Sequence, residues 1–172
     1  KDEWIRVTIL GAGRQVGRSC LLLQTPESRV LLDCGVDVST GNEEDAYPML
    51  DAPEFDINKL DAIIATPAHV DHSAFIPYLY KMGYKGPVYF TLPGRDISAL
   101  MALDYISVAQ KQGRKTIFSS TDIKEMVKHS ITLEYGEVSD ITPDIRITFY
   151  DAGHTLGSAM VHFNIGNGLH NL

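Results

Sequence analysis

Two histidines and an aspartate lie within four residues of one another in the segment Thr66-Pro67-Ala68-His69-Val70-Asp71-His72. Imidazole and carboxylate groups are suitable ligands for a borderline metal such as Zn²⁺. Their spacing favours a loop, because adjacent residues on a helix point in different directions. The pattern predicts metal ligation by His69, Asp71 and His72. The alternative is a pair of surface histidines beside a helix-capping Asp71.

A second segment that could carry chemistry lies far along the chain and reads Asp151-Ala152-Gly153-His154-Thr155-Leu156-Gly157-Ser158. Glycines on both sides of His154 allow the backbone to come close to a ligand. By itself, His154 fits a structural histidine as well as it fits a metal ligand. Together with the first segment, it offers a third nitrogen donor.

Both segments directly follow apolar runs that predict β-strands, at residues 62–66 and 145–150. Loops that follow strand ends on one side of a sheet lie close together. We therefore expect His69, Asp71, His72 and His154 to converge in one pocket at the edge of a sheet.

The remaining pattern predicts the elements that position this pocket. Apolar runs at residues 4–10, 20–25 and 30–33 are typical of an antiparallel meander. Later strands and helices alternate, with helices expected at residues 75–80, 95–112 and 122–129. The long helix has an apolar stripe, which we expect to be buried and which consists of Leu100, Leu103, Ile106 and Val108. Ser120 or Thr121 is expected to cap the next helix. This order of elements predicts an α/β fold.

Composition places limits on the class of protein. A chain of 172 residues fits one domain. Neither an apolar run of the ~20 residues that a membrane span needs nor a signal peptide is visible in the sequence, so no membrane partner is expected. Cys20 and Cys34 form no CxxC pair, and without an export signal we expect reduced thiols and a cytoplasmic protein.

The net charge of −7 counts against a nucleic-acid partner, because proteins that bind polyanions are usually basic. Any contact with RNA would therefore depend on a local basic patch or on a metal. Lys111, Arg114 and Lys115 follow one another near a predicted helix end. They could complement the helix dipole or contact RNA, and both interpretations remain open.

Several spaced motifs together resemble the metallo-β-lactamase superfamily, and within it the β-CASP nucleases of RNA processing. The similarity is highest to the archaeal relatives of the cleavage and polyadenylation specificity factor nuclease. The motifs occupy residues 10–20, 32–35, 47–48, 61–64, 66–72 and 153–158, in the order of the family. The resemblance implies the αββα sandwich of that superfamily. It also implies a zinc-dependent ribonuclease in RNA 3′-end processing or transcription termination.

The resemblance assigns roles to individual residues. His69, Asp71, His72 and His154 match the metal ligands of the family, which holds two zinc ions per complete domain and uses them to hydrolyse a phosphodiester. Asp71 is thereby also assigned to the catalytic centre. Asp33 matches an acidic motif whose carboxylate supports the metal-binding loop, and we expect it to be buried and hydrogen-bonded to the segment that begins at Thr66.

Two departures from the family affect the expected activity. Pro67 stands where the family has its first histidine, and a proline side chain offers no donor atom. The chain also stops before the later ligands and the β-CASP insertion, so we interpret residues 1–172 as the N-terminal part of a metallo-β-lactamase domain. With two ligands left for each metal, we expect partial or absent zinc binding and no activity from this chain alone.

Three functions remain to be compared. The parent protein could be a ribonuclease that binds RNA and has RNA polymerase or a second copy of itself as a further partner. It could instead be a non-catalytic scaffold of the same fold, an interpretation that Pro67 favours. A small-molecule hydrolase of the lactamase or glyoxalase type is disfavoured by the motifs at residues 11–19 and 47–48, through the family resemblance only.

Overall fold

The computed structural model of the chain describes residues 3–10, 20–33, 55–66, 76–153, 159–166 and 170–172. Its strands are β1 (Arg6–Ile9), β2 (Leu21–Gln24), β3 (Arg29–Leu32), β4 (Ala62–Ile64), β5 (Val88–Phe90), β6 (Ser130–Thr132), β7 (Val138–Thr142), β8 (Ile145–Asp151), β9 (Ala159–Ile165) and β10 (His170–Asn171). Its helices are α1 (Ile76–Lys81), α2 (Leu92–Lys111) and α3 (Ser120–His129), and a 3₁₀ turn spans Ile57–Lys59.

The strands form two sheets. The larger has six strands in the order β1-β2-β3-β4-β5-β6, and the smaller has four in the order β10-β9-β8-β7. β1, β2 and β3 pair antiparallel, which confirms the predicted meander. β3 to β6 pair parallel, so their carboxyl ends lie at one edge of the larger sheet. We call that edge the site edge and the opposite edge, where these strands begin, the base edge.

Two apolar cores follow from the alternation of side chains along the strands. On one face of the six-stranded sheet, Leu31 and Ile63 pack with residues of the helices such as Leu79 and Met126. On the other face, Val30 and Ile64 pack with the smaller sheet. The described part of the chain is therefore an α/β sandwich of one helical layer and two sheets, which confirms the fold class. A second helical layer is not found within the described ranges.

The buried face of α2 differs from the predicted stripe. Leu100 is 66% exposed, and Leu103 and Val108 are exposed as well. The buried positions are instead mostly small, and they are Gly94, Ser98, Ala102, Ile106 and Ala109. Four-residue spacing places small side chains on one face, and that face lets the helix axis come close to the sheet. Of the predicted stripe, only Ile106 is buried.

The helices also begin at different residues from those expected. α2 starts at Leu92 because Thr91 caps it, with its hydroxyl oxygen accepting the backbone N–H of Gly94 at 3.2 Å. α3 starts at Ser120, so its N-cap is Ser119 rather than Ser120 or Thr121. The Asp122 carboxylate accepts the backbone N–H of Ser119 at 2.8 Å, which satisfies a donor left open at the helix start.

The expectation of a reduced thiol is wrong for Cys20, which is fully buried and disulfide-bonded. The physical reason lies in the pairing of β2 with β3. Leu21 lies opposite Leu32 in this antiparallel pair, so Cys20, directly before β2, and Asp33, directly after β3, leave the sheet at the same end. Cys34, the only other cysteine of the sequence, is next to Asp33 but lies outside the described residues.

A polar cluster joins the two sheets at the base edge, and we call it the base clamp. The acceptor is the carboxylate of Asp144, directly before β8. The hydroxyl groups of Ser28, Thr25 and Thr142 donate to it, and the bonds from Thr25 and Thr142 measure 2.5 and 3.0 Å. Thr25 and Ser28 belong to the turn between β2 and β3, and Thr142 ends β7. The start of β8 therefore lies against the start of β3.

Burial opposes ionisation of Asp144, but the hydrogen bonds from Ser28, Thr25 and Thr142 outweigh it, and the pKa of this carboxyl is lowered. The clamp is thus a charged acceptor surrounded by donors.

No helix in the described segments is long and apolar enough to cross a membrane.

Candidate active site

Asp33 is the sequence-predicted site residue that the structure describes. It follows β3 directly and is 6% exposed. One carboxylate oxygen accepts the backbone N–H of Thr66 at 2.6 Å, and the other accepts the Thr66 hydroxyl at 2.6 Å. The predicted burial of Asp33 and its contact with the segment beginning at Thr66 are confirmed. With both oxygens engaged in this way, the carboxylate suits the support of a loop.

The backbone of Asp33 has a φ of +50°, in the left-handed region that side chains other than glycine rarely adopt. Asp is one of the residues that tolerate this region best. The conformation is held by a hydrogen bond from the Asp33 backbone N–H to the carbonyl oxygen of Ile64, at 2.9 Å. A sparsely populated backbone conformation that is held from several sides is typical of functional sites.

The pairing of β3 with β4 explains why Asp33 meets Thr66. The strands are parallel, and Leu32 lies opposite Ile64. Both chains leave the sheet at the site edge, Asp33 one residue after β3 and Thr66 two residues after β4. A short carboxylate side chain can therefore reach both the backbone and the hydroxyl of Thr66. The contact fixes the first residue of the segment that carries His69, Asp71 and His72.

The second histidine segment follows β8. β8 begins at the base edge, where Asp144 contacts Thr25 and Ser28, so it runs away from that edge and towards the side of the site edge. Just past the end of β8, Gly153 has a φ of +74°, and its N–H donates to the Asp151 carboxylate at 2.8 Å. A positive φ at this turn favours glycine. The turn directly precedes His154 in the sequence.

The proposed ligands themselves, His69, Asp71, His72 and His154, lie outside the described residues, as does Pro67. Their convergence stays a prediction. In the segments that the structure covers, no group of three or more His, Cys, Asp or Glu side chains could hold a metal ion. What the structure shows is Asp33 in contact with Thr66 and, separately, the turn at Gly153 after β8; the two ligand segments continue in the sequence from Thr66 and from Gly153.

Sequence reasoning assigned no role to Thr66. The signal was present, because a threonine directly after a buried strand has a hydroxyl and a backbone N–H that need partners. Identifying the partner required knowing that β3 and β4 are neighbours. The two residues are 33 positions apart in the chain.

Residues 22–168 match the metallo-beta-lactamase superfamily domain. Among curated relatives, the transcription termination factor FttA of Methanothermobacter thermautotrophicus is 56% identical over 171 residues. That alignment covers 99% of this chain and 27% of the relative. The factor of the same name from Pyrococcus abyssi is 53% identical over 178 residues, covering 100% of this chain and 28% of the relative.

The chain thus spans little more than a quarter of the length of these relatives. Among solved structures, the metallo-beta-lactamase fold protein YhfI from Bacillus subtilis superposes with a TM-score of 0.56 at 22% identity, covering 99% of this chain and 61% of YhfI. Rm3 metallo-beta-lactamase superposes with a TM-score of 0.59 at 19% identity, covering 96% of this chain and 56% of its own. At these identities the likeness concerns the fold alone.

Proposed function

Because this chain belongs to the metallo-β-lactamase superfamily, we propose that it forms part of a zinc-dependent ribonuclease that acts in transcription termination or RNA 3′-end processing. The relatives over 50% identical are named transcription termination factors, and their alignments run along nearly the whole chain. The single observation that carries the proposal within this molecule is the Asp33–Thr66 contact. It holds Thr66, the residue from which the histidine segment continues in the sequence.

The residue types fit the metal that the superfamily implies. His69, His72 and His154 would supply imidazole nitrogens, and Asp71 a carboxylate oxygen, all suitable ligands for zinc. A bound zinc ion supplies Lewis acidity and lowers the pKa of water. Asp33 would hold the loop in place from behind, since carboxylates that orient metal-binding loops contribute to metal affinity without touching the metal.

Pro67 weakens this donor set. Proline contributes no ligand atom, and it also fixes its own φ and biases Thr66 towards extended backbone. The alternative proposal is a non-catalytic scaffold of the same fold in an RNA-cleavage complex, and Pro67 is the observation that favours it. The whole protein would act in the cytoplasm, with RNA as its main partner and with RNA polymerase or a second copy as further partners.

The substitution Pro67→His in the full-length protein tests the two functions. We expect metal-dependent cleavage of a labelled RNA to increase by about 10- to 100-fold, because the missing imidazole is restored to the donor set. Pro67→Ala is the matched control, since it removes the proline ring without adding a ligand. Zinc content measured on the same samples should rise only in the histidine variant.

The outcomes separate the proposals. Equal, chelator-sensitive cleavage by the natural protein and the histidine variant would mean that a ligand at position 67 is dispensable. Cleavage absent from both, with zinc bound in the variant, would favour the scaffold.

A further inference from the structure

Charge is distributed unevenly along the chain. Residues 76–129 contain eight Lys and Arg against four Asp and Glu, whereas the rest of the chain contains seven against eighteen. A segment with a positive balance thus exists within a chain whose net charge is −7. This segment contains the three helices of the helical layer and the strand β5.

The topology gathers the carboxyl ends of the helices at the base edge. β5 and β6 are parallel, with Val88 opposite Ser130, and each is preceded by the end of a helix, α1 and α3 respectively. The rings of Tyr80 and His129, near these two helix ends, lie 5.3 Å apart. The Lys81 ammonium donates to the carbonyl oxygen of Ile117 at 2.7 Å, which ties the connection after α2 to the same place.

Six exposed cations belong to these helices and to the segments that follow their ends. We call them the basic face, and they are Lys85, Lys111, Arg114, Lys115, Lys124 and Lys128. Three of the four acids of the segment have other partners: Asp96 pairs with Arg95, Asp122 accepts from Ser119, and Glu125 lies 3.7 Å from His129. Within the described residues, no ion pair joins any of the six cations to an acid.

Helix dipoles account for only part of this arrangement. Lys111 and Lys128 lie in the last turns of their helices, where a cation is favoured. Lys124 lies one turn before Lys128 on the same exposed side of α3, and a like-charge pair at this spacing costs about 0.2–0.5 kcal/mol. Lys85 and Lys115 lie beyond helix ends, where the dipole has largely decayed. Six exposed cations on one helical layer, none of them ion-paired with an acid in the described residues, are typical of a surface that binds a polyanion.

We propose that the basic face binds the sugar–phosphate backbone of RNA, independently of base sequence, at the edge opposite the candidate active site. The inference rests on the proposed function only for the choice of RNA among polyanions. Because α2 begins beside the site edge and its twenty residues extend about 30 Å, the two RNA contacts lie at opposite ends of the helical layer. The basic face would bind a part of the RNA that lies outside the cleavage site.

The test is fluorescence anisotropy of a labelled oligouridylate with the full-length protein, over a series of salt concentrations and with a chelator present. The chelator makes the result independent of the metal site, so the two proposals can fail separately. For K124Q/K128Q we expect about tenfold weaker binding, and a salt dependence of log K that is shallower by about 0.7 for each lost phosphate contact. K111Q/R114Q/K115Q should behave in the same way.

The matched control is R6Q/K59Q, which removes two exposed cations from other elements. Its affinity and salt dependence should stay unchanged. K124R/K128R keeps the charge and should bind as the natural protein does, which separates lost charge from a disturbed helix. Equal losses in the control and in K124Q/K128Q, or an unchanged salt slope, would overturn the proposal. Equally tight binding of polyglutamate that is lost in the same variants would do so too, in favour of an acidic protein partner.

Discussion

Two carboxylates at opposite edges of the sandwich have similar partners but different surroundings. Asp33, at the site edge, accepts an N–H and a hydroxyl from Thr66, two residues beyond the neighbouring strand. Asp144, in the base clamp, accepts hydroxyls from three residues, in the β2–β3 turn and at the end of β7. Asp33 has a left-handed backbone, whereas no described residue of the clamp has a positive φ.

The Asp33–Thr66 contact serves to position a loop, whereas the base clamp serves to stabilise the fold. The clamp joins two sheets through segments over 100 residues apart, so it stabilises the sandwich as a whole. The Asp33–Thr66 contact joins two neighbouring strand ends that the sheet already holds together. Its additional effect is to fix the start of the ligand segment. The strained backbone of Asp33 persists because the neighbouring strands hold it in place.

Asp33→Ala should produce the largest effect of the substitutions that test this comparison. Thr66 would lose both acceptors, and the loop that begins there would no longer be held. We expect zinc affinity of the full-length protein to fall by about 10- to 100-fold, measured by competition with a chromophoric chelator.

The matched control is Asp61→Ala. Asp61 is an exposed carboxylate that accepts the backbone N–H of Arg29 at 2.8 Å, at the base edge of the same two strands. It should leave zinc affinity unchanged. If Asp33→Ala and Asp61→Ala bind zinc equally well, the site edge has no special role in positioning.

Asp144→Ala should lower the free energy of unfolding by about 3 kcal/mol, because buried hydroxyls lose a charged acceptor. Its effect on zinc affinity should be small compared with that of Asp33→Ala. Since folding lowers the pKa of Asp144, the contribution is complete above its ordinary value of 3.8 and is lost as the pH falls through the lowered value. Urea unfolding at a series of acidic pH values measures the loss of stability and its dependence on pH.

Asp144→Asn keeps the shape but removes the charge, and its stability should depend less on pH in the acid range than that of the natural protein. Parallel pH curves for the two proteins would contradict the assigned role of the clamp.

Gly86→Ala tests how tightly the base edge is packed and should cost about 2 kcal/mol. A Cβ at this position would lie 2.5 Å from the Tyr84 hydroxyl oxygen and 2.7 Å from the ring carbon that bears it. Tyr84 is buried, and its hydroxyl donates to the carbonyl oxygen of Pro87 at 2.7 Å, so the ring has little room to move. Thermal unfolding gives the change in stability.

A double-mutant cycle identifies the cause. In a Tyr84→Phe background the closest atom is gone, so Gly86→Ala should cost less. An equal cost in both backgrounds would assign the loss to the backbone at Gly86 instead of to the contact.

Local pattern predicted most of the fold, and its failures have a common origin. β2, β4, β5, β8 and β9 coincide with apolar runs, so burial is visible in the sequence. β7 was missed because Ser139, Asp140 and Thr142 interrupt any apolar run, although its backbone pairs with β8. The face of α2 was predicted wrongly because large leucines were taken as core. Ala102 and Gly94 are buried instead, because the face that carries the small residues is the one that packs on the core.

The sequence by itself determined the residue types at the candidate site, most of the strands and the position of Asp33 at a strand end. These follow from side-chain chemistry and from periodicity, which act over a few residues. Only the tertiary structure decided that Asp33 binds Thr66, that Asp144 joins the sheets and that the basic face gathers at one edge. Each of these depends on the register and packing of segments distant in the chain, because a hydrogen bond requires two groups to meet in space.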